Sequence, residues 1–153
     1  MPKSANRIRL GTILITVCWI AAVSAHEGHS HYSAGEPGDP KKPARVITVL
    51  MNEMDYTPSK IEVKRGEQIR FVIRNVGTES HEFMLGTTVE NLTHAEMMKK
   101  HPDMEHDDPN GVTLAPNKTA EILWKFSKAG IFEYSCLIPI HRESGMIGTV
   151  SVK

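Results

Sequence analysis

Residues 136–146 read Cys-Leu-Ile-Pro-Ile-His-Arg-Glu-Ser-Gly-Met, a Cys-x4-His-x4-Met array. It sets a thiolate, an imidazole and a thioether on one short segment. Soft donors of this kind select copper and zinc over magnesium or calcium. One more imidazole from elsewhere in the chain would complete a His2Cys trigonal set with a weak axial Met, a donor set suited to copper. Zinc is the alternative occupant, because the order of divalent affinities favours copper without excluding zinc.

Cys136 stands out further once the N-terminus is considered. Lys3, Arg7 and Arg9 precede an apolar run from Leu10 to Val23, and Val23-Ser24-Ala25 has the small residues of a cleavage site. Residues 1–25 therefore read as a secretory signal peptide, whose apolar stretch is short for a membrane span. A retained N-terminal anchor is the competing reading. Cleavage after Ala25 leaves 128 residues, enough for one domain with one core. It also removes Cys18 and makes Cys136 the only thiol. A lone cysteine in an exported chain forms no internal disulfide, and metal binding would protect it from oxidation. Charges balance at 18 to 18 in the full chain; loss of three cations leaves 15 basic against 18 acidic residues. That slight acidity points to neither nucleic acid nor an anionic membrane surface as partner.

The elements that must hold these donors follow from alternation. Residues 26–43 are polar and rich in Gly and Pro, and read as a flexible, His-rich arm. From Ala44 the chain breaks into short strands: 46–51, 60–64, 68–74, 80–85, 120–126, 131–136 and 146–152. The expected fold is all-β, an antiparallel Greek-key sandwich or barrel of about seven or eight strands spanning residues 44–153. Thr93-His94-Ala95-Glu96 has the form of a capping box, and Pro102 is a stop. One short helix is therefore expected within an insertion covering roughly residues 86–112.

Alternate residues of a strand share a face. Cys136 has the parity of Phe132 and Tyr134, and Met146 that of Val150 and Val152, so both point inward if those neighbours do. Loop 137–145 must then carry His141 across the end of the barrel. The missing imidazole is best supplied by His81, which has the parity of Phe83 and Leu85.

Four segments resemble the cupredoxins, the type 1 blue-copper family. They are Tyr56-Thr-Pro58-Ser-Lys-Ile61-Glu-Val63-Lys-Arg-Gly66, Asn75 through His81-Glu-Phe83, Phe132-Glu-Tyr134-Ser-Cys136 and Gly145-Met146-Ile-Gly148. The ligand spacing is similar to that of rusticyanin-like members, and plastocyanins have a shorter Cys-to-His gap. The His-rich N-terminus before a single domain looks most like the periplasmic copper-tolerance cupredoxins of the CopI type. The resemblance implies one copper, with His81, Cys136 and His141 equatorial and Met146 axial. One position departs from it: Glu82 stands where many blue-copper proteins have Asn directly after the first His. A binuclear copper centre would need a second cysteine between Cys136 and His141, and none is present.

Two other clusters could bind metal. His26, His29 and His31 would open the mature chain, either as a metal-recruiting arm or as a solvated one. His94, Met97, Met98 and His101 stand at i, i+3, i+4 and i+7, on one helical face. They could form an auxiliary copper site, or the methionines could pack on the barrel while the histidines face water. This surplus of His and Met favours periplasmic copper tolerance or homeostasis with a redox-active centre. The alternative is a mobile electron carrier docking its partner through an apolar patch at Leu137, Ile138, Pro139 and Ile140. The expected protein is a monomer, is not an enzyme, and has no membrane segment once mature.

Overall fold

Alternating apolar residues build two facing surfaces, and their burial fixes which side of each strand is core. Ile69, Phe71 and Ile73 lie wholly buried on one strand, and Phe132 and Tyr134 are buried on another, with Cys136 buried just past its end. The structure, a computed structural model, describes residues 32–101 and 108–153. In chain order these form β1 (Glu36–Pro37), β2 (Arg45–Asn52), β3 (Asp55–Thr57), β4 (Lys60–Val63), β5 (Gln68–Asn75) and β6 (His81–Gly86). They continue with α1 (Thr88–Lys100), β7 (Gly111–Leu114), β8 (Thr119–Lys125), β9 (Gly130–Ser135) and β10 (Ile147–Val152). One sheet has the order β1-β8-β5-β2-β3, the other β4-β10-β9-β6-β7. The sandwich core holds Trp124, Phe71, Phe83, Phe126 and Tyr134, and the Phe83 and Tyr134 rings stack at 5.1 Å. Gly148 is required beside them, since a Cβ there would fall 2.1 Å from the Tyr134 ring.

The sandwich agrees with the expected fold class, and four details differ. Two pairings are parallel, β2 with β5 and β4 with β10. The chain changes sheet between these partners, and alternation along a strand says nothing about its neighbour's direction. Ten strands form among the described residues, because β1, β3 and β7 have only two to four residues and are too short to show periodicity. The helix begins earlier than expected, and its capping box is Thr87 with Glu90. Thr87 follows the end of β6 and keeps extended backbone, as an N-cap must. Thr93 is already inside the helix, and its hydroxyl donates to Val89 O at 2.8 Å. Finally, residues 32–43 of the expected flexible arm pack against the domain. Tyr32 meets Trp124 edge-on at 5.4 Å, Ala34 is buried, and β1 pairs with β8. The signal-peptide residues and His26, His29 and His31 lie outside the described residues.

Glu90 secures both this arm and the helix. Its carboxylate accepts Ser33 N–H at 2.9 Å, and Thr87 N–H and hydroxyl at 2.7 and 2.8 Å. Burial raises its pKa, but these donors outweigh burial and hold it below its ordinary 4.5. A depressed carboxylate stabilises the fold above its unfolded pKa and loses that contribution as pH falls through the folded value. Glu90→Gln should cost about 1 kcal/mol at neutral pH, the order of a lost helix cap. In urea titrations across a pH series the gap between wild type and variant should close as pH drops below 4.5. A constant gap would mean that the charge of Glu90 contributes nothing.

Candidate metal centre

Four buried residues belong to one end of the sandwich, three of them placed by the ends of strands and His141 by the loop between β9 and β10. His81 starts β6, Cys136 follows β9, and Met146 precedes β10. His81, Cys136 and Met146 are wholly buried, and His141 nearly so. Backbone bonds close the loop between them: Cys136 N–H donates to Met146 O at 3.2 Å, and Met146 N–H to His141 O at 3.1 Å. The start of β6 is held by Asn75, also fully buried. Its amide donates to Glu79 O at 2.7 Å and Leu114 O at 2.8 Å, while its carbonyl accepts Gly77 N–H at 2.9 Å. Asn75 reads in the sequence as a turn residue; only the fold shows it pinning the turn that leads to His81.

The donor atoms converge. His81 Nδ1 lies 3.3 Å from His141 Nδ1, which lies 3.3 Å from Cys136 Sγ. One donor from each of the three residues falls within 4.8 Å of the others, and this is the sole such group of His, Cys, Asp and Glu among the described residues. Met146 is buried, and its backbone is bonded to Cys136 and His141, two of these three residues. With both Nδ1 atoms turned inward, the Nε2 atoms face outward, 4.0 Å from Glu53 for His81 and 3.6 Å from Glu79 for His141. A proton on each Nε2 would leave both Nδ1 lone pairs for a metal, and His81 Nε2 is buried without a hydrogen-bond partner.

Burial dominates the electrostatics of the free donors. Burial, then the neighbouring His141, depress the His81 pKa, against the pull of Glu53 and Glu79. Burial pushes the Cys136 thiol up, although the Glu82 and Ile138 N–H groups oppose it. Burial thus disfavours charge on the free donors, and a soft cation bound there would deprotonate the coordinating thiol. Donor type and burial fit copper.

Glu82, the residue that departs from the resemblance, bonds the site at two points. Its N–H donates to Cys136 Sγ at 3.3 Å, and its carboxylate accepts Leu137 N–H at 3.0 Å. Its carbonyl accepts the Tyr56 hydroxyl. A carboxylate therefore stitches β6 to the start of the ligand loop.

The other candidates are not assembled in this way. Met98 is half-buried and lines a cavity of about 340 Å³ with Leu137, Ile138 and Pro139, whereas Met97 is 45% exposed. His94 is half-buried with Nδ1 3.9 Å from Asp108, and His101 is exposed at the helix C-cap. The helix thus splits the expected face: Met98 turns toward the ligand loop while Met97 faces solvent. The expected apolar patch is smaller than the sequence suggests. Leu137 and Ile138 are half-buried, leaving Pro139 and the 70%-exposed Ile140 at the surface.

Comparison with known proteins agrees with this geometry. Residues 44–153 match the family model described as copper binding proteins, plastocyanin/azurin family. The chain is 42% identical to the copper-resistant cuproprotein CopI of Rubrivivax gelatinosus, an alignment covering 97% of this chain and 99% of that one. It is 33% identical to the protein of the same name from Pseudomonas aeruginosa, over 92% and 93% of the two chains. Among solved structures, auracyanin B superposes with a TM-score of 0.65 at 18% identity, over 78% of this chain and 96% of that one. Auracyanin A of Chloroflexus aurantiacus gives 0.56 at 20% identity, over 71% and 99%. These two share the fold.

The turn that presents His141 carries strain. His141 N–H donates to Ile138 O at 3.1 Å, placing Pro139 and Ile140 at the corners. Ile140 has φ +78°, a value that favours Gly at this turn position and is unusual for a β-branched residue. Left-handed backbone costs a non-Gly residue roughly 1–2 kcal/mol, part of which Gly returns as entropy of the unfolded chain. Ile140→Gly should therefore raise the stability of the metal-free protein by roughly 1 kcal/mol in chemical denaturation. A loss of stability would show that the Ile140 side chain makes a compensating contact.

Proposed function

This chain belongs to the plastocyanin/azurin family of copper-binding proteins, and on that premise we propose that it is a periplasmic cupredoxin serving copper tolerance. In this reading His81, Cys136 and His141 hold one copper ion in a trigonal set, and Met146 is the weak axial ligand. Such a donor set lets the metal alternate between Cu(I) and Cu(II). The observation that carries the reading is the convergence of the two Nδ1 atoms and Sγ in a buried pocket. Support for the biological role comes from two relatives, each named a copper-resistant cuproprotein, which this chain matches over nearly its whole length. The N-terminal signal-like segment supports export, and no helix of the described residues is long and apolar enough to cross a membrane.

A second reading is a mobile electron carrier. Ile140, 70% exposed and adjacent to His141, favours it, because an apolar edge next to a ligand suits transient docking of a redox partner. Both readings share one centre, and neither assigns the chain an enzymatic activity. We take the protein to be a monomer in both.

The mature protein loaded with Cu(II) should show an intense visible thiolate-to-copper band that Cys136→Ser abolishes. A colourless protein that purifies with zinc would overturn the copper assignment. In cells, deletion of the gene should raise copper sensitivity and leave respiration intact. Slowed respiration with unchanged copper sensitivity would favour the electron carrier.

A further inference from the structure

Arg142 directly follows the proposed ligand His141, and its guanidinium leaves the loop to enter a polar site beneath helix α1. Nη2 donates to both oxygens of Glu133 at 3.0 Å, and Nε donates to Oε1 at 3.3 Å. Only 18% of the Arg142 side chain and 10% of the Glu133 side chain are exposed. Glu133 lies on β9, three residues before Cys136, on the outward face that α1 covers. Its carboxylate also accepts the Thr88 hydroxyl at 2.8 Å, Asn91 Nδ2 at 3.2 Å and the Ser135 hydroxyl at 3.3 Å. Asn91 is itself buried and donates further to Met84 O at 3.2 Å and to Ser135 Oγ at 3.1 Å. Donors thus occupy nearly all the lone pairs a carboxylate offers.

This arrangement exceeds what a surface loop needs. Beyond Leu137, which Glu82 ties to β6 at the start of the loop, the backbone bonds are local: His141 to Ile138, Ser144 to Ile140, Gly145 to Arg142, and Met146 to His141. Local turns fix the shape of the loop, but on the His141 side they do not fix its position on the sandwich. A bidentate Arg–carboxylate pair fixes both distance and orientation, and here one partner is the neighbour in sequence of a proposed ligand and the other is braced by the helix.

We propose that the Glu133–Arg142 pair, braced by Thr88 and Asn91 of helix α1, is a positioning device that sets where His141 meets the metal and so raises copper affinity. Arg142 and Glu133 touch no donor atom; they act through the backbone of the loop. The inserted helix thereby becomes part of the metal centre's support. The proposal rests on the ligand assignment given above.

The test combines a metal-free and a metal-bound measurement on the mature protein. Arg142→Lys keeps the charge and loses the fork, Glu133→Gln loses the charge and one of the two acceptor oxygens, and Thr88→Val removes one brace with the ion pair intact. Val63→Ala, selected as a control, trims a buried residue beside Val152, about 20 Å along β10 from Met146. In the metal-free protein, amide hydrogen exchange at His141, Ser144, Gly145 and Met146 should quicken about tenfold or more in Arg142→Lys and Glu133→Gln, and less in Thr88→Val. With Cu(II), chelator competition should show affinity falling roughly 10- to 100-fold in the first two variants, with a shifted thiolate band. Val63→Ala should leave both readouts at wild-type values even where it lowers the melting temperature as much. Unchanged loop exchange, faster exchange with unchanged affinity and spectrum, or an equal effect from Val63→Ala would each overturn the proposal. Should Arg142→Lys fail to fold, the graded response of Thr88→Val decides in the same terms. A wild-type protein without the thiolate band would overturn the site assignment itself, and the proposal with it.

Discussion

Two imidazole nitrogens and a sulfur, with His141 Nδ1 only 3.3 Å from each of the other two in a desolvated pocket, form the constraint on which the rest of this molecule is built. Lone pairs brought together without water repel one another and lose their hydrogen bonds, so the arrangement opposes folding. His81 and Cys136 register that cost in their displaced pKa values. Strand ends from the closed core force the donors together. The core that imposes this is large and aromatic, with Phe71, Phe83, Tyr134 and Trp124 all at zero exposure. Hydrophobic burial of that size stabilises the domain enough to sustain a locally unfavourable cluster.

A layer of polar groups carries the constraint from core to donors. Asn75 pins the turn before His81, Glu82 ties β6 to the loop at Leu137, and Glu133 receives Arg142 on the far side. Each connects segments distant in sequence, so each becomes useful only once both sheets have formed. Buried polar groups of this kind are costly when partly satisfied and rigid when fully satisfied. Here the anchors surround the donor cluster and leave the opposite end of the sandwich to surface ion pairs such as Arg45 with Glu67 and Lys153 with Glu62.

Much of this was legible in the residues. Strand parity placed Cys136, Met146 and His81 inward, because a two-residue period is a direct image of which face is buried. The sandwich class followed from the spacing of the strands. Pairing direction was not legible, since β2 and β5 would carry the same alternation with either orientation. The helix start was missed because Thr87-x-x-Glu90 and Thr93-x-x-Glu96 are equivalent as sequences; only the end of β6 at Gly86 distinguishes them. The docking of residues 32–43 was hidden by composition, as Gly and Pro mask a segment anchored by one ring contact and two paired residues. The role of Glu82 needed the fold, because its bond to Leu137 joins positions 55 apart.

The strain at Ile140 makes sense within the same logic. A β-branched residue at φ +78° would relax if the loop were free to shift, carrying His141 away from Cys136. Relaxation is opposed from both sides: Leu137 is tied to Glu82 before the turn, and Arg142 is tied to Glu133 after it. Strain persists only where its surroundings over-determine the geometry, and these two anchors bracket the turn within five residues. A loop so held moves little when the charge at its centre changes, which suits electron transfer, and it releases a bound ion slowly, which suits copper retention. Either function draws on the same rigidity, and that rigidity originates in polar bonds made by the residues that directly follow the donors: Glu82, Leu137 and Arg142.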